Sequence, residues 1–351
     1  MKIKKIQAEE FRRDFISREW ILVSSNRQKR PIFFNIKEKK KTGRVFSKKE
    51  CPFENPQKSG NADPVFWMPK PGIDKGRAVF EKDWFTQIVP NKFPLLRRNN
   101  HKPKIKKHGI YEIVDSFGFH EIVITRDHDK MFEDMVINEL SLVFKTYKER
   151  YRILEKDKSI DYILIFHNQG ELAGASIPHP HSQIIALPIV PPDVSRSING
   201  GVNFYEKYKK CAHCTMLDYE KKEKIRIINK NKYFISVAPY ASKVPFEVRV
   251  YPVRHNSDFE EISDHEIPYL AEIFKDILIR MRKSLGSKDY NFFIHTSSAR
   301  VDSVPYYHWH IEILPRTYKW GGVELGTGIE VISVPPELVA YQLRKVKKQN
   351  K

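Results

Sequence analysis

Apolar residues come in short blocks separated by polar, proline-dotted stretches, and the blocks predict alternating strands and helices. Glu19-Trp20-Ile21-Leu22-Val23 closes the stretch from Asp14 as a first strand, and the basic turn Ser25-Asn26-Arg27-Gln28-Lys29-Arg30-Pro31 follows it. Residues 36–50 are polar and lysine-rich and predict a loop. Phe85 to Val89 reads as a strand leading into Pro90-Asn91-Lys92-Phe93-Pro94, and His120 to Thr125 alternates as another. Between Met131 and Leu154 the residues Met135, Leu140, Val143, Phe144, Tyr147 and Tyr151 recur at helical spacing. Asp161 to Phe166 predicts a further strand, and the unbroken run Ile184, Ile185, Ala186, Leu187 a buried one.

The same order returns after residue 200. Asp161-Tyr162-Ile163-Leu164-Ile165-Phe166-His167 is echoed by Asp289-Tyr290-Asn291-Phe292-Phe293-Ile294-His295, and His179-Pro180-His181 by His308-Trp309-His310. His167 lies 12 positions before His179, and His295 lies 13 before His308. Arg126-Asp127-His128 parallels Arg254-His255, at 51 and 53 positions from the same histidines. Cys51-x-x-Glu54 and Cys211-x-x-Cys214 complete the pairing. Agreement at four places in one order argues for two copies of one unit. The expected fold class is α+β, each copy an antiparallel sheet with a long helix. The domains are expected at 1–198 and 199–351, joined by a linker through Pro191-Pro192-Asp193 and Asn199-Gly200-Gly201.

Composition narrows the setting. No apolar run among the 351 residues approaches the roughly 18 of a membrane helix, and Met1-Lys2-Ile3-Lys4-Lys5 lacks the apolar core of a signal peptide, so a cytoplasmic protein with no membrane partner is expected. Only three cysteines are present, two of them in one Cys-x-x-Cys, which suits metal binding better than a disulfide framework. The net charge of +19 brings nucleic acid or an anionic small molecule into view. Aromatic residues are not interleaved with basic clusters, so a zinc-stabilised nucleic-acid-binding protein is the weaker reading. Phosphate-bearing substrates suit the same field.

The chemistry concentrates in Pro178-His179-Pro180-His181-Ser182-Gln183, with Asn168-Gln169-Gly170 upstream. A His-x-His pair entering a strand keeps both imidazoles on one face. Such a pair can bind a metal, form a core pair, or divide the work between a ligand and a nucleophile. In the second copy Cys211, Cys214, His255 and His308 make a set of two thiolates and two imidazoles, the tetrahedral chemistry of structural zinc. The first copy offers Cys51, Glu54, His128 and His179, with a carboxylate in place of one thiolate. If His179 holds metal, His181 is left free, and a neutral imidazole nitrogen can attack phosphorus to form a phosphoramidate in a two-step transfer. Gln183 lies on the same face and can donate its amide to a phosphoryl oxygen. Asn168 and Gly170 supply a polar side chain and a close backbone approach. The position of Gln183 in the second copy is Glu312, an anion that repels phosphate, so that copy reads as catalytically silent. His167 and His295 read as core or pocket-lining residues.

These motifs resemble the histidine-triad superfamily, and specifically its two-copy branch, the galactose-1-phosphate uridylyltransferase family, over most of the chain. The resemblance implies phosphate or nucleotide contacts for Arg27 and Arg30 and a nucleoside pocket at Asn91. It implies an active site of Asn168, Gly170, Ser176, His179, His181 and Gln183, with metal on His179 and the nucleotide carried by His181. It also implies UDP-glucose and galactose 1-phosphate as substrates, zinc, and a homodimer with shared active sites in which Arg27, Arg30 or the segment from Trp320 to Gly328 serves the neighbouring chain. The chain departs from the family pattern at Glu54, where a second cysteine is usual. It lacks the glutamate of the iron site of some members, so no iron is expected. Gly321 to Ile329 is similar to a sister branch, the ADP-glucose adenylyltransferases that use phosphate as acceptor; there the turn at Gly326 and Thr327 offers backbone amides to phosphate.

Overall fold

The computed structural model describes residues 9–29, 48–98, 103–301 and 303–346. Arg30 and most of the lysine-rich stretch, residues 36–47, lie outside these.

Ten strands form one sheet. The first half of the chain contributes β1 (Phe66–Pro69), β2 (Trp84–Pro90), β3 (Phe119–Thr125), β4 (Tyr162–Gln169) and β5 (His181–Leu187). The second half contributes β6 (Ile227–Lys230), β7 (Phe234–Val237), β8 (Val248–Pro252), β9 (Tyr290–His295) and β10 (His310–Pro315). All pairings are antiparallel, in the spatial order β6-β7-β8-β10-β9-β4-β5-β3-β2-β1. Outward from the β4/β9 seam the two sides run β4-β5-β3-β2-β1 and β9-β10-β8-β7-β6. This is the same chain order on both sides, and the two copies share one continuous sheet.

The helices Ile137–Leu154 and Ile267–Leu285 occupy equivalent positions, between β3 and β4 and between β8 and β9, and cover one face of the sheet. Their apolar stripes meet in one core that includes Phe144, Tyr147, Phe274 and Phe292. Helical spacing from Met131 overran the true start. Phe132–Asp134 is a 3-10 turn, Met135 is extended, and the Glu139 carboxylate accepts the Val136 N–H at 3.0 Å, which sets the helix N-terminus at Ile137. On β3, Val123 enters that core while Ile122 and Ile124 pack on the other face with Cys51, Phe53, Trp84 and Val89. Both faces are therefore covered, and the predicted metal ligands sit on the face away from the long helices.

Two segments depart from the expected organisation. The proposed linker is helical from Pro192 to Tyr208, entered by proline at its first turn. Its Gly-Gly is a close-approach pair rather than a hinge: a Cβ would lie 1.9 Å from the Ile16 carbonyl oxygen at Gly200 and 2.4 Å from that of Tyr306 at Gly201. Gly200→Ala is expected to destabilise the fold by about 1–3 kcal/mol through overpacking, read as a lower urea midpoint at unchanged m. An unchanged midpoint would mean that the helix separates freely from residues 16 and 17.

The second departure is the N-terminal segment, which packs with the second copy although the division at 198 assigns it to the first. Glu9–Arg13, Trp20–Ser24 and Glu330–Ile332 form a three-stranded sheet. Ile21, Val23 and Ile332 bury against Ala241. Arg12 pairs with Glu337 at 2.9 Å and lies over the Tyr240 ring at 4.5 Å, while Arg226 bridges Glu337 to Glu220.

Candidate active site and metal centres

His181 opens β5, and its register opposite Ile124 sets it on the face away from the long helices. It is 6% exposed, its ring edge-on to Phe53 at 5.0 Å. The His181 Nδ1–H donates to the His179 carbonyl at 2.8 Å, so the tautomer leaves Nε2 as a bare lone pair. Burial lowers the pKa of His181, only partly opposed by that carbonyl, so the ring is neutral at physiological pH. The strand itself is pinned from the helix side by Tyr147, whose hydroxyl lies 2.6 Å from Ser182 Oγ.

The neighbouring imidazoles are committed elsewhere. His179 donates from Nε2 to the Thr125 carbonyl at 2.6 Å, turning Nδ1 toward Cys51 Sγ at 3.6 Å and His128 Nδ1 at 3.2 Å. His167 is a core residue: its nitrogens lie 3.1 Å from Ser182 Oγ and 3.2 Å from Gln169 Oε1, its ring stacks on Phe292, and burial lowers its pKa to about 3.

Cys51, His128 and His179 bring their ligand atoms within 4.8 Å of one another. Glu54 stands beside that group, its Oε2 4.0 Å from His128 Nδ1, buried and without a hydrogen-bond partner. In the second copy all four residues converge: Cys211, Cys214, His255 and His308. Cys214 Sγ lies 3.4 Å from Nδ1 of each histidine, and each ring turns Nε2 to a carbonyl, Val304 for His255 and Pro252 for His308. A tetrahedral zinc with its usual bond lengths needs N···S edges of about 3.6 Å and N···N edges of about 3.3 Å. The distances among Cys51, His128 and His179 and those from Cys214 to its two histidines fit that requirement, Glu54 standing farther off, and the carbonyl partners are the outer contacts metal-bound histidines use. The Cys211 thiol is held well below its ordinary value, chiefly by the hydrogen bond from Cys214 and then by the two rings, whereas burial raises that of Cys51.

Two domains match the chain in succession: galactose-1-phosphate uridyl transferase, N-terminal domain, over residues 1–191, and galactose-1-phosphate uridyl transferase, C-terminal domain, over residues 199–325. The chain belongs to the galactose-1-phosphate uridyl transferase family. It is 33% identical to an ADP-glucose phosphorylase of Arabidopsis thaliana, over 97% of this chain and 93% of that protein. It is 28% identical to a galactose-1-phosphate uridylyltransferase of Thermotoga maritima, over 96% and 98%. The crystal structure of an ADP-glucose phosphorylase from Arabidopsis thaliana with bound ADP-glucose superposes with a TM-score of 0.80 at 32% identity, covering 97% of this chain and 99% of that one. The protein is thus a nucleotidyltransferase of the uridylyltransferase family, α+β in fold.

Within this uridyl transferase fold the remaining predicted residues separate into two groups. Asn168 lies near the end of β4 and Gly170 just past it, close to the second copy. Asn168 Oδ1 accepts from Asn291 Nδ2 at 2.8 Å. Gly170 has φ +83°, and a Cβ there would lie 2.2 Å from the Asp289 carboxylate, so glycine is demanded by that neighbour as well as by the backbone. Ser176 lies in the bend before the histidines, and Asn91 Oδ1 accepts the Phe93 N–H at 2.9 Å, shaping its loop. Arg27, Gly326 and Thr327 go with the small sheet, where Arg27 lies 3.9 Å from Glu324. Among the described residues no hydrogen bond or ion pair joins them to the surroundings of His181. The expected glycine-rich turn is a short helix, Gly322–Thr327, because Glu324 caps the Gly321 N–H and the Thr327 hydroxyl donates to the Val323 carbonyl.

One residue escaped the sequence reading. His120 on β3 donates from Nε2 to Gln183 Oε1 at 2.7 Å. Its only signal was its alternation in phase with Ile122 and Ile124. In the second copy the position of Gln183 carries Glu312, which burial would push up but Arg249 and His295 hold well below the usual carboxylate range. Glu312 is thus the anion in an ion-pair cluster.

Proposed function

We propose that the chain carries a nucleoside monophosphate from a nucleotide sugar to a phosphate-bearing acceptor by way of His181 Nε2. The observation that carries this reading is the hydrogen bond from His181 Nδ1–H to the His179 carbonyl, which bares Nε2 in a buried, neutral ring. Nε2 attacks the α-phosphorus, the N–P bond forms as the bond to the bridging oxygen breaks, and the sugar 1-phosphate departs with that electron pair. The ring becomes cationic, and the His179 carbonyl beside Nδ1–H steadies the charge. The Gln183 amide donates to the phosphoryl oxygens. An oxygen of the acceptor phosphate then attacks phosphorus and restores the free imidazole, so no proton need leave or enter the ring.

The first reading takes UMP from UDP-glucose and passes it to galactose 1-phosphate. A second, AMP from ADP-glucose passed to inorganic phosphate, is favoured by the 33% identity to the Arabidopsis ADP-glucose phosphorylase and by the superposition on its ADP-glucose complex. Intact-protein mass after brief mixing with each donor, in phosphate-free buffer, separates them. A uridylyl adduct supports the first, an adenylyl adduct the second, and no adduct from either sinks the covalent route.

Zinc is the metal we assign to both ligand sets, because they combine thiolate and imidazole and no redox chemistry is needed. When bound it supplies a rigid anchor for His179 and hence for the loop that aims His181. The carboxylate in the first set makes a harder, weaker site. Glu54→Cys is therefore expected to slow chelator extraction of the first-site zinc by roughly tenfold or more, followed as metal released against time; unchanged kinetics would remove Glu54 from that site. A homodimer is supported by the exposed apolar side chains of Phe93, Leu95, Ile110 and Tyr111. A cytoplasmic setting is supported by three free cysteines. No helix among the described residues is long and apolar enough to cross a membrane.

A further inference from the structure

His120 is 7% exposed and engages both of its ring nitrogens in different tasks. The Nε2–H donates to Gln183 Oε1 at 2.7 Å, while Nδ1 accepts the Leu95 N–H at 3.1 Å. Its backbone carbonyl accepts the Asn91 N–H at 2.9 Å; Asn91 Nδ2 also lies 3.0 Å from Nε2, but that nitrogen carries the proton given to Gln183, so this contact is not a hydrogen bond. One residue therefore ties the phosphoryl-contacting side chain on β5 to both ends of the loop from Asn91 to Leu95. With Gln183 Oε1 taken, the amide nitrogen is the end left to donate, and among the described residues no protein group accepts from it.

The duplicated copy separates the two tasks. Gln183 pairs across the sheet with Ile122, and Glu312 pairs with Arg249, so His120, two residues before Ile122, answers to Glu247, two before Arg249. Glu247 still accepts a backbone N–H from the preceding loop, that of Lys243. It donates nothing to Glu312; instead Arg249 lies between the two carboxylates, 2.8 Å from Glu247 and 3.7 Å from Glu312. Holding the loop is common to both copies. Donation to the residue on the neighbouring strand belongs only to the copy that keeps the His-x-His-x-Gln pattern.

We propose that His120 is a positioning residue for nucleotidyl transfer, orienting the Gln183 amide through Nε2–H and fixing the Asn91 to Leu95 loop through Nδ1. This rests on the reading of Gln183 as a phosphoryl contact. A glutamine amide reaches about where Nε2 stood and an asparagine oxygen about where Nδ1 stood, so two substitutions divide the roles.

The test is the rate of His181 labelling by UDP-glucose and by ADP-glucose, across a range of donor concentrations. His120→Gln is expected to keep the saturating rate within about threefold of wild type while raising the donor concentration needed for half-saturation. His120→Asn is expected to do the reverse, losing roughly tenfold or more in saturating rate with half-saturation little changed. His120→Phe should lose both, yet in a Gln183→Ala background it should cost less than about twofold further in saturating rate, because the group it orients is already gone, while still raising half-saturation. Equal, parallel losses in the Gln and Asn variants would mean a merely structural histidine and overturn the proposal, as would full multiplication of the His120→Phe and Gln183→Ala effects on the saturating rate. If the Phe variant does not fold, the contrast between Gln and Asn decides alone. An unlabelled wild type overturns the nucleotidyl reading and this proposal with it, whereas a labelled wild type with wild-type behaviour in all His120 variants overturns only the latter.

Discussion

His181→Ala retains no nucleotide after mixing with either donor, and its turnover falls by about 10⁴-fold or more, the scale of losing a covalent nucleophile. So large an effect is expected because no neighbour can take over. His179 spends Nε2 on the Thr125 carbonyl and faces Cys51 and His128 with Nδ1. Both nitrogens of His167 lie against Ser182 and Gln169. The ring removed is small and packs against Phe53, so the variant should remain folded with its metal content unchanged. Zinc analysis and a thermal melt run beside the mass measurement check that. A nucleotide still bound covalently in this variant would place the nucleophile elsewhere and end the present assignment.

Cys214→Ser is expected to give the largest loss of stability. Its Sγ lies 3.4 Å from Nδ1 of both His255 and His308, and the helix that carries it, Ala212–Glu223, joins the sheet through the cluster of Leu217 with Ile235, Val237 and Tyr251. A structural zinc is worth on the order of 10 kcal/mol, and replacing one thiolate by a hydroxyl forfeits much of it. For a chain of this size several kcal/mol corresponds to a fall in Tm of about 10 °C. Metal content should drop by one zinc per chain. Labelling of His181 should persist in the folded fraction, because the lost site lies on the other copy. Unchanged zinc content would remove Cys214 from the ligand set, and loss of labelling in fully folded protein would show that the two copies are coupled through the β4/β9 seam.

Much of the site was legible because its elements repeat. The echo of the His-x-His motif, at nearly equal distances from a preceding histidine, selected His128 and His255 from 13 histidines without any structure. Local composition misled where a residue's neighbour is distant in sequence. Gly200-Gly201 looked like a linker, but the oxygens that forbid a Cβ belong to Ile16 and Tyr306. Gly321 to Gly328 looked like a phosphate turn, but Glu324 and Thr327 hydrogen-bond to nearby backbone and close a helix. The first predicted strand looked like part of the first copy, yet the residues that bury it, Ala241 and Ile332, come from the second half.

By itself the sequence determined the duplication, the α+β pattern and the thiol, imidazole and carboxylate inventory of each copy, and it singled out His181 as the candidate for chemistry. These follow from spacing, because strand and helix periods assign faces locally and a repeat compares like with like. Only the tertiary structure decided which nitrogen of each imidazole is free, that Gln183 is held by His120, and that the copies fuse into one ten-stranded sheet. A ring's tautomer is set by whichever carbonyl or side chain the strand register brings opposite it, and that register is a property of the folded sheet rather than of any stretch of the chain.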